Sequence, residues 1–420
     1  MYFVYSLVLY LGVPLVLCRL AWLGLRNRDY LQRWPERFGY VSPVTFETPL
    51  IWIHAVSVGE VQAARPLVEH IRKNGRPGSL MMTTTTPGGA RTIQQLYGTA
   101  VEQRYFPYDL PGVIKRFLDT VQPRSLIIME TEIWPNLYRE CRRRNISIAL
   151  VNARLSDKSR RGYQRFGGLA GRTLQCLSLI AAQSRADADR FLALGARPET
   201  VRVTGNLKFD IAQPHSVSEA AEVRRRFFSP HRSVWIAAST HEGEERLVLE
   251  AFRQILQRHA DCLLVIVPRH PERSGEIMEL CRRYGFQTGR HTQNPGYTQR
   301  TQVYIVDTLG ELPVFYAASD VAFVGGSLVP HGGHNMLEPA SLGIPVVAGT
   351  HLFNFSEVSE LLGLAGALAQ VSTVRELAGK VGELLGDANQ RHAMGEKGRQ
   401  VIRENQGTLG RLIDALDYYI

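Results

Sequence analysis

The stretch WIHAVSVGEVQAARPL, Trp52 to Leu67, decides the fold. Its first residues belong to an apolar run, Leu50–Val56, that ends in a short loop through Ser57 and Gly59. From Glu60 onward the apolar residues recur at helical spacing. Strand, tight loop and helix in that order form the opening unit of a parallel α/β sheet. Working outward, Ser79–Thr84, Ser125–Met129 and Ile146–Val151 read as further buried strands. Glu60–Lys73, Pro87–Tyr97, Pro111–Val121 and Trp134–Arg144 read as the helices between them. A second alternating series has strands at Val234–Ala238, Leu263–Val267, Gln302–Val306, Val321–Val324 and Pro345–Ala348. Two doubly wound domains are therefore expected, and such sheets bind ligands beyond the carboxyl ends of their strands.

The length of 420 residues suits two domains, at roughly 100–200 residues each. With 45% hydrophobic and 21% charged residues, neither disorder nor collagen-like repetition fits. The expected boundaries are an anchor at 1–25, a first Rossmann-like domain at 26–205, a linker at 206–217 and a second domain at 218–420. The last helix is expected to be free to cross back to the first domain. Five scattered cysteines without metal-ligand spacing point to reduced thiols and no structural zinc. Lys plus Arg number 49 against 39 Asp plus Glu, a net charge of +10 that favours a polyanionic partner.

Tyr2 to Cys18 carries no charge, and after Arg19 the run Leu20–Leu25 is apolar again. No basic start or cleavage site of a secretory signal is present, so an uncleaved anchor is expected. It either spans the membrane, dips into one leaflet or is buried in the core. Arg19, Arg26, Arg28, Arg33 and Arg37 all follow the run, which keeps the body on the cytoplasmic side. A second basic group lies between Arg139 and Arg172, with ten Lys or Arg against Glu140 and Asp157. It reads as a solvated face or as a site for phosphates and anionic lipid. No nucleic-acid-binding motif accompanies the charge.

The candidate chemistry follows the strands. Glu60 sits at the rim of the first strand, where a carboxylate either serves the helix dipole or takes a proton from a hydroxyl. His54 and Ser57 are weaker candidates. Glu130 and Glu132 in IIMETEIWPN come just past a buried strand, one of them a candidate helix cap. Thr83–Thr86 with Pro87, Gly88 and Gly89 offer hydroxyls and N–H groups that suit either a cap or an anion. Lys208 in VTGNLKFD is either solvated or set beside a negative ligand. In the second series, VPRHPER follows a strand and offers Arg269 and His270 to a base or phosphate, and Leu309, Gly310 and Glu311 begin a helix. The glycine-rich stretch Gly325–Val347 is expected to offer free N–H groups to a phosphate, with Glu338 in reach of ribose hydroxyls. It lacks the GxxxxGK[ST] pattern of ATP hydrolases.

Taken together, VSVGE, METEIWPN, NARLSDKS, GNLKFD, AASTHEGEE, PRHPER, LGELP, GGSLVPHGGHN and EPA resemble the Kdo transferase family over nearly the whole chain. Those enzymes add 3-deoxy-D-manno-octulosonate (Kdo) to the lipid A precursor of bacterial lipopolysaccharide. The resemblance implies glycosyltransferase-B architecture, α/β with two Rossmann-like domains facing across a cleft, at the cytoplasmic face of the inner membrane. It implies Glu60 as general base, with Glu130 and Lys208 stabilising the transition state. It implies contacts to the CMP part of CMP-Kdo from Pro268 and Arg269, from Leu309, Gly310 and Glu311, and from Asn335, Met336, Leu337 and Glu338. An inverting attack without a metal, on anionic membrane and without nucleic acid, completes the expectation. A UDP-sugar transferase or epimerase of the same fold, and a non-catalytic membrane-tethered binding module, stand as alternatives.

Overall fold

Every expected apolar run became a parallel strand, because both faces of each sheet are covered and alternate residues feed different cores. The computed structural model describes residues 1–43, 49–74, 80–165, 168–210, 224, 228, 231–293, 298 and 300–419. It divides into two compact units, Met1–Asp210 with Gln406–Ile420, and Ile211–Asn405. The first unit holds β1 (Ile51–His54), β2 (Leu80–Thr84), β3 (Glu102–Tyr105), β4 (Ser125–Met129), β5 (Ser147–Ala153), β6 (Leu179–Ala182) and β7 (Val201–Val203). They form one seven-stranded sheet in the order β3-β2-β1-β4-β5-β6-β7. Trp52, Leu126 and Ile128 face a core with Phe117, Tyr138 and Phe191. Their neighbours Ile53, Ile127 and Met129 face the opposite core with Val61, Leu67 and Val68.

The second unit holds β8 (Val234–Thr240), β9 (Leu263–Pro268), β10 (Thr288–Arg290), β11 (Val303–Ile305), β12 (Val321–Val324), β13 (Val346–Ala348) and β14 (Leu368–Gln370). Their order is β10-β11-β9-β8-β12-β13-β14, again seven strands. All the pairings in both sheets are parallel. The short strands β3, β6, β7, β10 and β14 are not among the runs expected from the sequence. All five stand at or next to a sheet edge with only three or four residues, and β3 reads Glu-Gln-Arg-Tyr.

The expected linker at 206–217 needs correction over its first half. Asn206 caps a short helical turn, Leu207–Phe209, whose Leu207 and Phe209 are buried in the first unit. Asp210 accepts N–H groups from Gly407, at 2.7 Å, and from Leu409. A segment that buries two large apolar side chains is core, not tether. Residues 211–217 lie outside the described residues. The chain's last helix, Thr408–Leu416, belongs to the first unit and places Leu412 and Leu416 in its core.

The apolar amino terminus forms α1 (Tyr2–Arg26), with Pro14 inside it. By length and composition, Tyr2–Leu25 is apolar enough to cross a membrane. One stripe of α1 is nevertheless fastened along the first unit. The Tyr5 hydroxyl donates to Asp109 at 2.9 Å, the Ser6 hydroxyl to Asn136 at 3.0 Å, and the Gly112 N–H to the Tyr10 hydroxyl at 3.4 Å. Arg139 lies over the Tyr2 ring at 5.2 Å. Val13 shares a cavity of about 480 Å³ with Trp34, Phe38 and Leu110, and Leu20 is buried. The opposite stripe, with Phe3, Leu11, Leu15 and Leu25, is 72–87% exposed.

Candidate active site

In the first unit the sheet order reverses between β1 and β4, which pair with Ile51 opposite Ser125 and His54 opposite Ile128. Such a switch point opens a crevice beyond the strand ends. The loop after β1 leads into α2 (Val58–Asn74), with Glu60 on its first turn. The loop after β4 begins with Glu130.

The Glu60 side chain folds back on its own loop. Oε2 accepts the Val56 N–H at 2.7 Å, and Oε1 accepts the Ser57 hydroxyl at 3.4 Å. Three threonine hydroxyls, of Thr84, Thr85 and Thr86, donate to the Val56 carbonyl at 2.8, 3.2 and 3.4 Å. Thr86 also caps the helix Pro87–Tyr97 by accepting the Gly89 N–H. The hydroxyl-rich loop that the sequence offered to an anion thus steadies the peptide that holds Glu60. Burial pushes Glu60 up to about 7, the Val56 N–H opposing and the charges of Glu130 and Glu132 adding. That value suits a general base near neutral pH.

Glu130 has φ +56°, a left-handed conformation that a residue with a side chain adopts at a cost of about 1–3 kcal/mol. Its N–H is held by the Val151 carbonyl at 2.9 Å. Its carboxylate lies 3.5 Å from Arg154 Nε and 3.9 Å from Lys208 Nζ. Glu132 is also pushed up to about 7, by burial first and by Glu130. Neither carboxylate caps the next helix, Pro135–Arg143, whose N-cap is Trp134.

Lys208 is positioned by residues that sequence reasoning passed over. Asn152, at φ +52° on β5, accepts the Leu207 N–H through Oδ1 at 3.0 Å. Its carbonyl accepts Gln183 Nε2 at 2.9 Å, and Gln183 Oε1 accepts Asn206 Nδ2 at 3.2 Å. The one available signal was an asparagine ending an otherwise apolar run. His54, by contrast, is a core residue. It stacks on Phe106 at 3.8 Å, sits 3.0 Å from the Thr83 hydroxyl, and is pushed down to about 3 by burial.

In the second unit, β8 neighbours β12, and the expected donor residues lie beyond strands β9, β11 and β12. Pro268 ends β9 and is buried, while Arg269 is exposed. Leu309 is 78% exposed and Gly310 has φ +87°, so the loop turns sharply ahead of Glu311. Glu311 accepts the Thr308 hydroxyl and lies 3.3 Å from His291 Nε2. Asn335 donates to Glu338 Oε1 at 3.0 Å and accepts the Leu337 N–H at 3.1 Å. Burial raises the Glu338 carboxyl. Met336 and Leu337 are fully buried.

The glycine-rich loop differs from expectation. The N–H groups of Gly326, Ser327 and Leu328 donate to the buried Glu244 carboxylate at 2.7, 3.1 and 2.9 Å. The loop therefore already carries its own anion, and these groups are not free for phosphate. The helix that follows, Leu337–Ser341, is a single short turn.

Comparison with known proteins places the chain among the glycosyltransferases. Residues 32–211 match the family described as 3-Deoxy-D-manno-octulosonic-acid transferase (kdotransferase), and residues 240–401 match Glycosyl transferases group 1. The chain is 40% identical over 420 residues to the 3-deoxy-D-manno-octulosonic acid transferase of Haemophilus influenzae, covering 100% of this chain and 98% of that one. It is 34% identical to the enzyme of the same name from Bordetella pertussis, covering 99% of each. The chain therefore belongs to the 3-deoxy-D-manno-octulosonic acid transferase family. A UDP-GlcNAc 2-epimerase from Neisseria meningitidis bound to UDP-GlcNAc superposes with a TM-score of 0.57 at 14% identity, over 88% of this chain and 100% of that one. At that identity it shares the fold alone.

Proposed function

We propose that the enzyme moves Kdo from CMP-Kdo to a hydroxyl of a lipid A precursor, lipid IVA, in one or two additions. The observation that carries this reading is Glu60, a half-buried carboxylate pushed up to about 7 on the first turn of α2. The acceptor hydroxyl attacks C2 of Kdo from the face opposite the phosphate, which inverts the anomeric centre, and Glu60 takes its proton. Charge separates as in other glycosyl transfers through an oxocarbenium-like state. Glu130 and Lys208 stabilise that state. Protein cations, rather than a divalent metal, offset the charge on the departing phosphate.

Donor specificity is read by calorimetric titration with CMP, UMP and UDP. Tighter binding of CMP is expected; preference for UDP would instead favour a UDP-sugar enzyme. Glu338→Ala is expected to raise the KM for CMP-Kdo with little change in kcat, because a ribose contact is largely uniform binding. A normal donor KM and normal CMP affinity would remove Glu338 from the site.

The acceptor is an anionic lipid, and the first unit suits a membrane surface at the cytoplasmic face of the inner membrane. With one stripe of α1 fastened to the protein, the opposite apolar stripe lies in one leaflet rather than crossing to the far side. The basic group beside it is smaller than its sequence count. Arg143 and Arg144 pair with Glu140 at 2.7 and 2.8 Å, and Arg144 also pairs with Asp119 at 2.8 Å. Arg161 and Arg165 remain exposed, and Arg160 lies 3.3 Å from Asp157. In a protein lacking residues 1–25, Arg160→Ser, Arg161→Ser and Arg165→Ser together are expected to weaken sedimentation with anionic vesicles. The effect is about 1 kcal/mol per charge before salt screening. Equal or salt-independent binding would return these arginines to an ordinary solvated face. Fluorophores at positions 3 and 25 of the full chain are expected to show the same quenching depth in one leaflet; depths in opposite leaflets would mean that α1 spans.

A further inference from the structure

At the carboxyl ends of β8, β9 and β12, four imidazoles converge. His241 follows β8, His270 follows β9, and His331 and His334 lie on the loop after β12. His241 Nε2 is 2.8 Å from His334 Nε2, with the rings only 6° from parallel. His331 stacks on His241 at 4.1 Å, and the His270 ring stands at 79° to it at 5.9 Å. Gly326 permits the approach, since a Cβ there would lie 3.1 Å from the His334 ring and 3.3 Å from the His241 ring. Two ring nitrogens at hydrogen-bond distance share one proton, so the pair is at most singly charged unless an anion joins it.

The surroundings add positive charge beside the pair, Arg269 above all. Arg269 and Arg273 reach the group from the segment after β9. Carboxylates balance part of it: Glu245 pairs with Arg273 at 2.7 Å and Glu272 lies 3.5 Å from His270, while Glu244 is held by the loop N–H groups. His241 and His334 are both pushed down to about 4, by burial first and then by the neighbouring imidazoles and Arg269. The pair is neutral at pH 7 while no anion is present. A second charged ligand oxygen beside it reverses that balance and favours uptake of a proton.

The proposed reaction creates such a charge. The acceptor oxygen forms its bond to C2 and gives its proton to Glu60. The bond from C2 to the phosphate oxygen breaks, and its electron pair stays on that oxygen. The phosphate passes from a diester with one negative charge to a monoester carrying nearly two, its second pKa being about 6. We propose that the His241–His334 pair, flanked by His331 and Arg269, is the receptor for this phosphate and takes one proton from solvent as the leaving group gains its charge. This rests on the CMP-Kdo reading and extends it to His241, His331 and His334, which lie outside the expected nucleotide contacts.

The test is calorimetric titration of the full chain with CMP at about pH 7.5, in two buffers of different ionisation enthalpy. Net proton uptake is expected for CMP and none for cytidine, which lacks the phosphate. His241→Gln and His334→Gln are expected to abolish the uptake and to weaken CMP about tenfold with cytidine binding unchanged. In turnover they are expected to lower kcat more than they raise the donor KM. CMP binding by the wild type without proton uptake, or uptake retained in both variants, overturns the proposal and leaves the donor reading standing. The wild-type measurement decides even where a variant does not fold. Failure of the folded wild type to bind CMP at all overturns the donor reading, and this proposal with it.

Discussion

Glu60→Gln is expected to lower turnover by about 10²–10⁴-fold while leaving the fold and CMP binding intact, since that is the usual contribution of a positioned base. The amide keeps the size of the side chain and its acceptor toward the Val56 N–H, but it cannot take a proton. Because burial holds the Glu60 carboxyl at about 7, it is protonated and inactive below that value and ionised above it. The wild-type kcat/KM is therefore expected to rise with pH through about 7 and then level off. Steady-state rates from about pH 5.5 to 8.5 check both statements. A variant with near-normal turnover, or a profile flat across neutral pH, would reduce Glu60 to a helix-start residue.

Glu244→Ala is expected to give the largest loss of stability. The carboxylate is fully buried and accepts four main-chain N–H groups, those of Gly326, Ser327, Leu328 and His241. Truncation leaves these donors in a dry interior, each at about 1–3 kcal/mol when unsatisfied. Removing one partner of a buried, charged network destabilises by about 3–5 kcal/mol. For a unit of this size each kcal/mol lowers the Tm by about 2–4 °C, so a fall of roughly 10 °C is expected. Glu244→Gln keeps an acceptor and is expected to lose less. Scanning calorimetry of the two variants measures this; a shift of under about 2 °C for the alanine variant would mean that the loop finds its donors other partners.

The parallel fold was legible because its central strands are continuous apolar runs. Leu126, Ile127 and Ile128 are all fully buried, as both faces of a covered sheet require. The edge strands were hidden because three residues such as Val201–Val203 carry no periodicity. In the site, Glu60 and Glu130 could be picked out by their place after strands. What that place does to them depends on burial and on φ, which the sequence does not display. The glycine loop was misread for the same reason. Glu244 looks like any acid on the first turn of a helix, and only the fold turns its carboxylate toward the Gly326–Leu328 main chain. Charge counting failed similarly between Arg139 and Arg172, where Glu140 binds two of the arginines.

The central claim is transfer of Kdo from a CMP donor to a phosphorylated lipid, and mass spectrometry of the product tests it most directly. Purified enzyme is incubated with CMP-Kdo and the tetra-acylated lipid A precursor. The expected product is the precursor increased by one or two Kdo residues, with one CMP released for each. Unchanged lipid beside folded, CMP-binding protein, or transfer of a sugar from a UDP donor instead, would contradict it.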